Sequence, residues 1–378
     1  MLCPKIRSRE QTMRTTNRRI LVWLFVLPVL YSGCLPKIGS KAVRRERFDY
    51  NQEIVRSSNE QMLLNIVRLR YGDTPYFLEL TSVVTQYGIE GDVAVGGQIT
   101  SPANSLDLGT AVSVSEHPTL TYAPLSGEQM ATNMLAPLPL GAIMLFLQSG
   151  WHMDRLLVVC MARINDVYNA TVGTAPNPDT KPDFQEFLAV AHAFRRLQVA
   201  GLIGLNWEHT AKDRIPHFWL KAPSNPSSPY TADIAFIKKS LGLPADEMTF
   251  DLTAFPYDRK PNEVGMRTRS LLGILYFLGE SIEVPAEHLQ ARLAVLSTET
   301  GGQPSDWSIL LDNIMRIHAQ KEKPANAAAA VHYRDYWFYI ADDDSHSKAT
   351  FSLVNYLYFL QSASSEGKTP LITLPVGR

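Results

Sequence analysis

Two neighbouring stretches alternate at every second residue, and that period restricts them to two-faced β-strands. Over 87–99 one set reads Tyr87, Ile89, Gly91, Val93, Val95, Gly97, Ile99, and the other reads Gly88, Glu90, Asp92, Ala94, Gly96, Gln98. Over 106–114 the sets are Leu106, Leu108, Thr110, Val112, Val114 and Asp107, Gly109, Ala111, Ser113. Thr100 to Ser105, with Pro102 and Asn104, is the expected loop between them. The expectation is a long amphipathic hairpin over 87–114, with Thr119 to Ala123 as a further short strand. Two readings follow. The hairpin is either a half-exposed sheet covered on one side by helices, or a pair of membrane-spanning strands, which need about 9–11 alternating residues each. One hairpin cannot close a barrel, whereas several copies in a ring can.

Around this hairpin the chain reads as α+β: the hairpin near the N-terminus, a central helical region, and C-terminal mixed strands and helices. Ser57-Ser58-Asn59-Glu60 looks like a capping box opening a helix that carries Met62, Ile66 and Leu69 and closes at Gly72. Ser126 with Gln129 suggests another box. Residues 140–147 are apolar all round, so a buried helix is expected there. A helix over 152–169 would carry Leu156, Leu157, Cys160, Ile164 and Val167 on one stripe. A second, over 183–200, would carry Phe184, Phe187, Leu188, Ala191 and Phe194 and end at Gly201. Loop 170–182 contains three prolines. Strands are expected at 202–208, 215–220 and 248–254, and helices at 231–241 and 266–279. A small-residue linker at 327–330 precedes a strand at 331–340, a helix at 345–361 and a last strand at 370–374. The expected divisions are 1–33, 34–56 as a tether, 57–125 with the hairpin, 126–222 mainly helical, and 223–378 mixed.

The N-terminal segment sets the expected cellular address. Residues 1–19 carry six basic side chains and one acid, and residues 20–31 are an apolar run interrupted by Pro28. At about 1.5 Å per residue this run covers roughly 18 Å, short of a hydrocarbon core of about 30 Å, so it reads as an export signal over residues 1–33. Met13 offers a second start. Tyr31-Ser32-Gly33-Cys34 resembles the lipobox of bacterial lipoproteins, with Tyr31 in place of the usual Leu. The resemblance implies cleavage before Cys34 and acylation of its thiol and new amine. Leu35 at the next position favours the outer membrane by the same resemblance. The phrases at 59–71 and 265–272 resemble a set of uncharacterised bacterial envelope proteins, which adds location and no activity.

Removing residues 1–33 leaves a net charge of −6, which gives no electrostatic case for nucleic-acid binding. Cys160 is then the one cysteine besides the acylated Cys34, and it is expected to be a buried, inert thiol. Motifs of chemistry are thin. Gly367-Lys368-Thr369 is half a P-loop, but Pro370 and a strand follow where a helix is needed. Asp342-Asp343-Asp344-Ser345-His346 fails the EF-hand register and reads as a helix cap. His192 reads as a packed histidine, and the aromatic strand Tyr333, Tyr336, Trp337, Phe338, Tyr339 reads as core rather than a pocket wall. No catalytic, cofactor-binding or metal-binding residue is assigned, and the one assigned site is lipid attachment at Cys34.

The expectation is therefore a lipid-anchored protein of a Gram-negative envelope, attached to the outer membrane through acylated Cys34 and facing the periplasm. Its leading role is a non-enzymatic binding or assembly component, with an envelope protein or a second copy as partner and no cofactor. The alternatives are a subunit of an oligomeric outer-membrane pore built from 87–114, and a periplasmic hydrolase without a readable motif.

Overall fold

A computed structural model of the chain describes residues 40–100, 103–125, 130–170, 184–209, 214–254, 259–294 and 306–363. In chain order the elements are α1 (Ser40–Arg70), β1 (Leu78–Thr100), β2 (Ala103–Pro124), a π-helical turn (Ala131–Leu135), α2 (Leu140–Gln148) and α3 (Met153–Cys160). Next come β3 (Met161–Ile164), β4 (Val167–Tyr168), α4 (Gln185–Val199), β5 (Ile203–His209), β6 (Arg214–Leu220), α5 (Pro229–Ser240) and β7 (Thr249–Thr253). Then follow β8 (Glu263–Thr268), α6 (Leu271–Gly279), the short α7 (Ala286–Gln290) and α8 (Ser308–Leu311), β9 (His318–Gln320), β10 (Ala327–Tyr333), β11 (Tyr336–Ala341) and α9 (Ser345–Ala363). The fold is α+β. The chain divides after Ser58 into two compact units, and every described strand belongs to the second.

Three sheets organise that second unit. Among the described residues β1 and β2 pair only with each other. A six-stranded sheet runs β4-β3-β8-β7-β6-β5, antiparallel except for the parallel β7–β8 step. It draws strands from both sides of residue 222. A three-stranded antiparallel sheet runs β10-β11-β9. Phe194 of α4 meets Phe218 of β6 at 5.9 Å between ring centroids, and Phe218 stacks on Phe250 of β7 at 5.1 Å. These rings tie α4 to the large sheet.

Several expectations need correction. The helix expected to open at Ser57-Ser58-Asn59-Glu60 starts instead at Ser40, and those four residues lie inside α1. The stretch 40–56 has no Gly or Pro and carries four Arg and two Glu, so nothing in it breaks a helix. The helix expected over 152–169 ends at Cys160, and Ile164 and Val167 face each other across the β3–β4 turn at Asn165 and Asp166. Asn165 takes the left-handed conformation at φ 46°, which a short polar side chain tolerates. Helical spacing misled here because this segment is buried almost all round, so no single face marks a period.

Residues 266–268 are likewise strand, and α6 opens only after Ser270, whose hydroxyl accepts from the Gly273 N–H at 3.1 Å. The alanine run 327–330 is strand β10 rather than a linker, because β11 pairs with it, with one irregularity between Ala327 and Ala329. The strand expected at 331–340 is two strands folded back at Arg334-Asp335, both with positive φ (47° and 66°). Residues 140–147 form a helix, but Leu145 is exposed on it.

A buried arginine stabilises the switch from α3 to β3. Arg269 donates to the carbonyls of Val158 at 2.7 Å and Val159 at 3.0 Å, the last turn of α3, and also to Ala170. Those carbonyls have no helical partner, and a guanidinium at the negative end of the helix dipole satisfies them. Asn169 adds donations to Val158 and Met161 at 2.9 and 2.8 Å.

Candidate functional site: the ribbon and its base

The base of the β1–β2 ribbon is built from α1 outward. Gln61 and Asn65 stand one turn apart on the helix face that also buries Met62, Ile66 and Leu69. Four helical residues rise about 6 Å and two strand residues about 6.6 Å, so two such amides can serve as a surrogate strand. The Asn65 amide donates to the Tyr76 carbonyl at 2.8 Å and accepts the Tyr76 N–H at 2.9 Å. Gln61 does the same for Leu78, at 3.1 and 2.9 Å. Between them Phe77 is buried and stacks on Tyr358 of α9, with ring centroids 5.6 Å apart. The Phe77 carbonyl accepts from the Leu125 N–H at 3.0 Å, closing the ribbon at its base. Tyr76 and Tyr122, beside this closure, are 54% and 43% exposed.

The turn into the ribbon is equally fixed. Gly72, at φ 71°, ends α1 with the Asp73 N–H on the Arg68 carbonyl (2.9 Å) and its own N–H on that of Leu69 (3.1 Å). Asp73 is held by the Tyr333 hydroxyl and, at 2.8 Å, by Arg334, both at the β10–β11 turn. Burial alone would raise the Asp73 carboxyl, but these two donors outweigh it and hold it below the usual carboxylate range. Tyr71 bonds His288 at 2.7 Å, and burial pushes its hydroxyl up to about 12.

From that base the ribbon runs for 23 residues in β1 and 22 in β2. It is longer than the 87–114 hairpin expected from sequence. Leu78–Gln86 supplies a partner for Thr119–Ala123, which is part of β2 rather than a separate strand, and one bulge lies between Leu80 and Ser82. At the far end pairing continues to Thr100↔Ala103, so the expected six-residue loop reduces to residues 101–102. A longer loop would leave the backbone groups of 103–105 without partners.

Residues directly across a ladder share a face. The register sets Ile89 opposite Val114, Gly91 opposite Val112, Val93 opposite Thr110, Val95 opposite Leu108 and Gly97 opposite Leu106. The other face joins Glu90 to Ser113, Asp92 to Ala111 and Gly96 to Asp107. The two apolar sets read from sequence therefore fall on one face of one ribbon. Among the described residues no third strand pairs with either edge. About half of the backbone N–H and C=O groups of each strand face outward without a ladder partner.

The other sequence candidates scatter. Cys34 and Gly367-Lys368-Thr369 lie outside the described residues, as do residues 1–33, Ser126 with Gln129, and 370–374. Cys160 is fully buried, and burial pushes its thiol up to about 12. His192 is exposed, not packed, because it falls on the outer side of α4. Asp344 caps α9, accepting from the N–H groups of His346 and Ser347 at 3.0 Å each. In the aromatic strand Phe338 is buried, while Tyr333, Tyr336, Trp337 and Tyr339 are half-buried. A cleft of about 380 Å³ lies over the buried Arg70–Glu280 ion pair, with Arg316 and Asp312 paired at 2.7 Å on its wall. Among the described residues no three His, Cys, Asp or Glu side chains converge.

Sequence reasoning missed Gln61 and Asn65. The available signal was a pair of amides four residues apart on an apolar helical stripe. Compared with protein-family models, curated proteins and solved structures, the chain matches none. The ribbon is thus the feature on which a functional reading must stand.

Proposed function

We propose that the protein is a non-enzymatic assembly component of a Gram-negative envelope. It is tethered to the outer membrane through acylated Cys34 and faces the periplasm, and copies associate through the ribbon to form a membrane pore. The carrying observation is the register, which over 87–114 gathers the apolar sets of both strands on one face, while among the described residues no third strand joins either edge. A two-stranded ribbon alone is marginal in water, and in lipid its open edges are forbidden. Edge-to-edge addition of further copies removes both problems at once. The stretch 106–114 has nine residues, about the length a tilted strand needs to cross the hydrocarbon core. Glu90, Asp92 and Asp107 share the opposite face, as a water-filled lumen requires.

Anchoring and permeation give separate tests. Two or three acyl chains hold a protein on a bilayer effectively permanently, so Cys34→Ser should leave the chain unprocessed and without the lipid mass, read by intact-mass measurement. Vesicles loaded with a small dye should leak when the full chain is reconstituted and stay sealed with a chain lacking 87–114. Equal leakage from both contradicts the pore.

A further inference from the structure

We propose that the place where α3, α4 and the start of α9 meet binds a phosphate-class oxyanion, held by Arg155, Arg195, His152 and His346. Arg155, in the first turn of α3, is only 8% exposed. One of its terminal nitrogens donates to His346 Nδ1 at 3.0 Å, and its Nε has no partner. A guanidinium can only donate, so Nδ1 is the acceptor and the ring proton sits on Nε2. His346 is exposed and therefore presents an N–H donor at the site's edge. Arg195, half-buried on α4, gives one N–H to Gln198 at 2.7 Å. The same Gln198 oxygen accepts the Met153 N–H at 2.9 Å, which fixes the start of α3 beside Arg195.

Both nearby carboxylates are already spent on backbone. Asp154 accepts the Arg155 N–H at 2.9 Å, and Asp344 holds the N–H groups of His346 and Ser347 together with the Ser347 hydroxyl. Among the described residues neither Arg155 nor Arg195 has a carboxylate within ion-pair distance. Asp154 and Asp344 act on Arg155 only from a distance, a guanidinium kept from water without an ion pair is costly, and a tetrahedral oxyanion matches its planar fork. Two helix N-termini, those of α3 and α9, add positive ends of peptide dipoles at the same place. Burial and the charges of Arg195, Arg155 and His346 push the His152 imidazole down, with Asp154 opposing, so these groups share one electrostatic neighbourhood.

The anion's source is either free phosphate or a lipid headgroup, and two probes separate them. Calorimetric titration of the full chain in neutral detergent, at fixed ionic strength set with chloride, uses inorganic phosphate and soluble dihexanoyl phosphatidic acid. Saturable binding of at least one probe is expected. Equal affinities assign free phosphate, and a clear excess for the lipid assigns a headgroup. Arg195→Gln should weaken binding by about tenfold or more while leaving the unfolding midpoint without ligand unchanged. Because Arg195 is half-buried, this variant carries the test even where Arg155→Gln fails to fold. Absence of saturable binding for both probes, or an Arg195→Gln chain that binds like the parent, overturns the proposal.

Discussion

Arg269 and Cys160 lie in the same buried neighbourhood and meet it in opposite ways. Arg269 stays charged by spending its N–H groups on three backbone carbonyls, although burial lowers it to about 9. Cys160 stays neutral, since burial disfavours the thiolate and the Arg269 charge only partly offsets this. Native Cys160 should resist a soluble thiol reagent at pH 8 and react only on unfolding, measured as the mass of its peptide. The sign of the pH effect follows from linkage. The unfolded thiol ionises near pH 9 and the folded one near 12, so the contribution of Cys160 to stability falls as pH rises across that window, while Arg269, lowered by burial, contributes in the opposite sense. Tyr71, raised to about 12, adds to the loss above pH 10. Cys160→Ala should shift the slope of the urea midpoint between pH 9 and 10 toward more positive values. A slope equal to that of the parent would contradict a buried protonated thiol.

At the scale of elements, the ribbon is fixed at its base by the amides of Gln61 and Asn65. Asn65 is fully buried and satisfies both backbone groups of Tyr76. Asn65→Leu keeps the volume and removes the pair, which should cost about 2 kcal/mol in urea unfolding and expose the backbone at 76–78 to hydrogen exchange. Unchanged exchange there would mean that the ribbon holds itself. The hairpin was legible in sequence because alternation with one polar face has a single interpretation, and the register preserved both sets. The helices α4, α5 and α9 were legible for the same reason, each burying one stripe and exposing the other. Legibility failed where burial is on all sides. At 153–165 helix and strand give the same apolar string, and only pairing with β8 decides between them. It failed again at Arg334-Asp335, where a tight turn uses neither Gly nor Asn and is fixed instead by the grip of Arg334 on Asp73. The clamp at Gln61 and Asn65 was hidden because amides on a helix normally read as surface.

For the whole molecule, the account makes the described body a platform and the ribbon its point of assembly. The smallest closed transmembrane barrels have eight strands, so two-stranded contributions require at least about four copies. The decisive measurement is the mass of the chain extracted from membranes in mild detergent, by native mass spectrometry, with and without residues 78–124. The account predicts a discrete ring of four or more copies for the full chain and a folded monomer once the ribbon is removed. A monomeric full chain, or a ring that survives deletion of the ribbon, would contradict it.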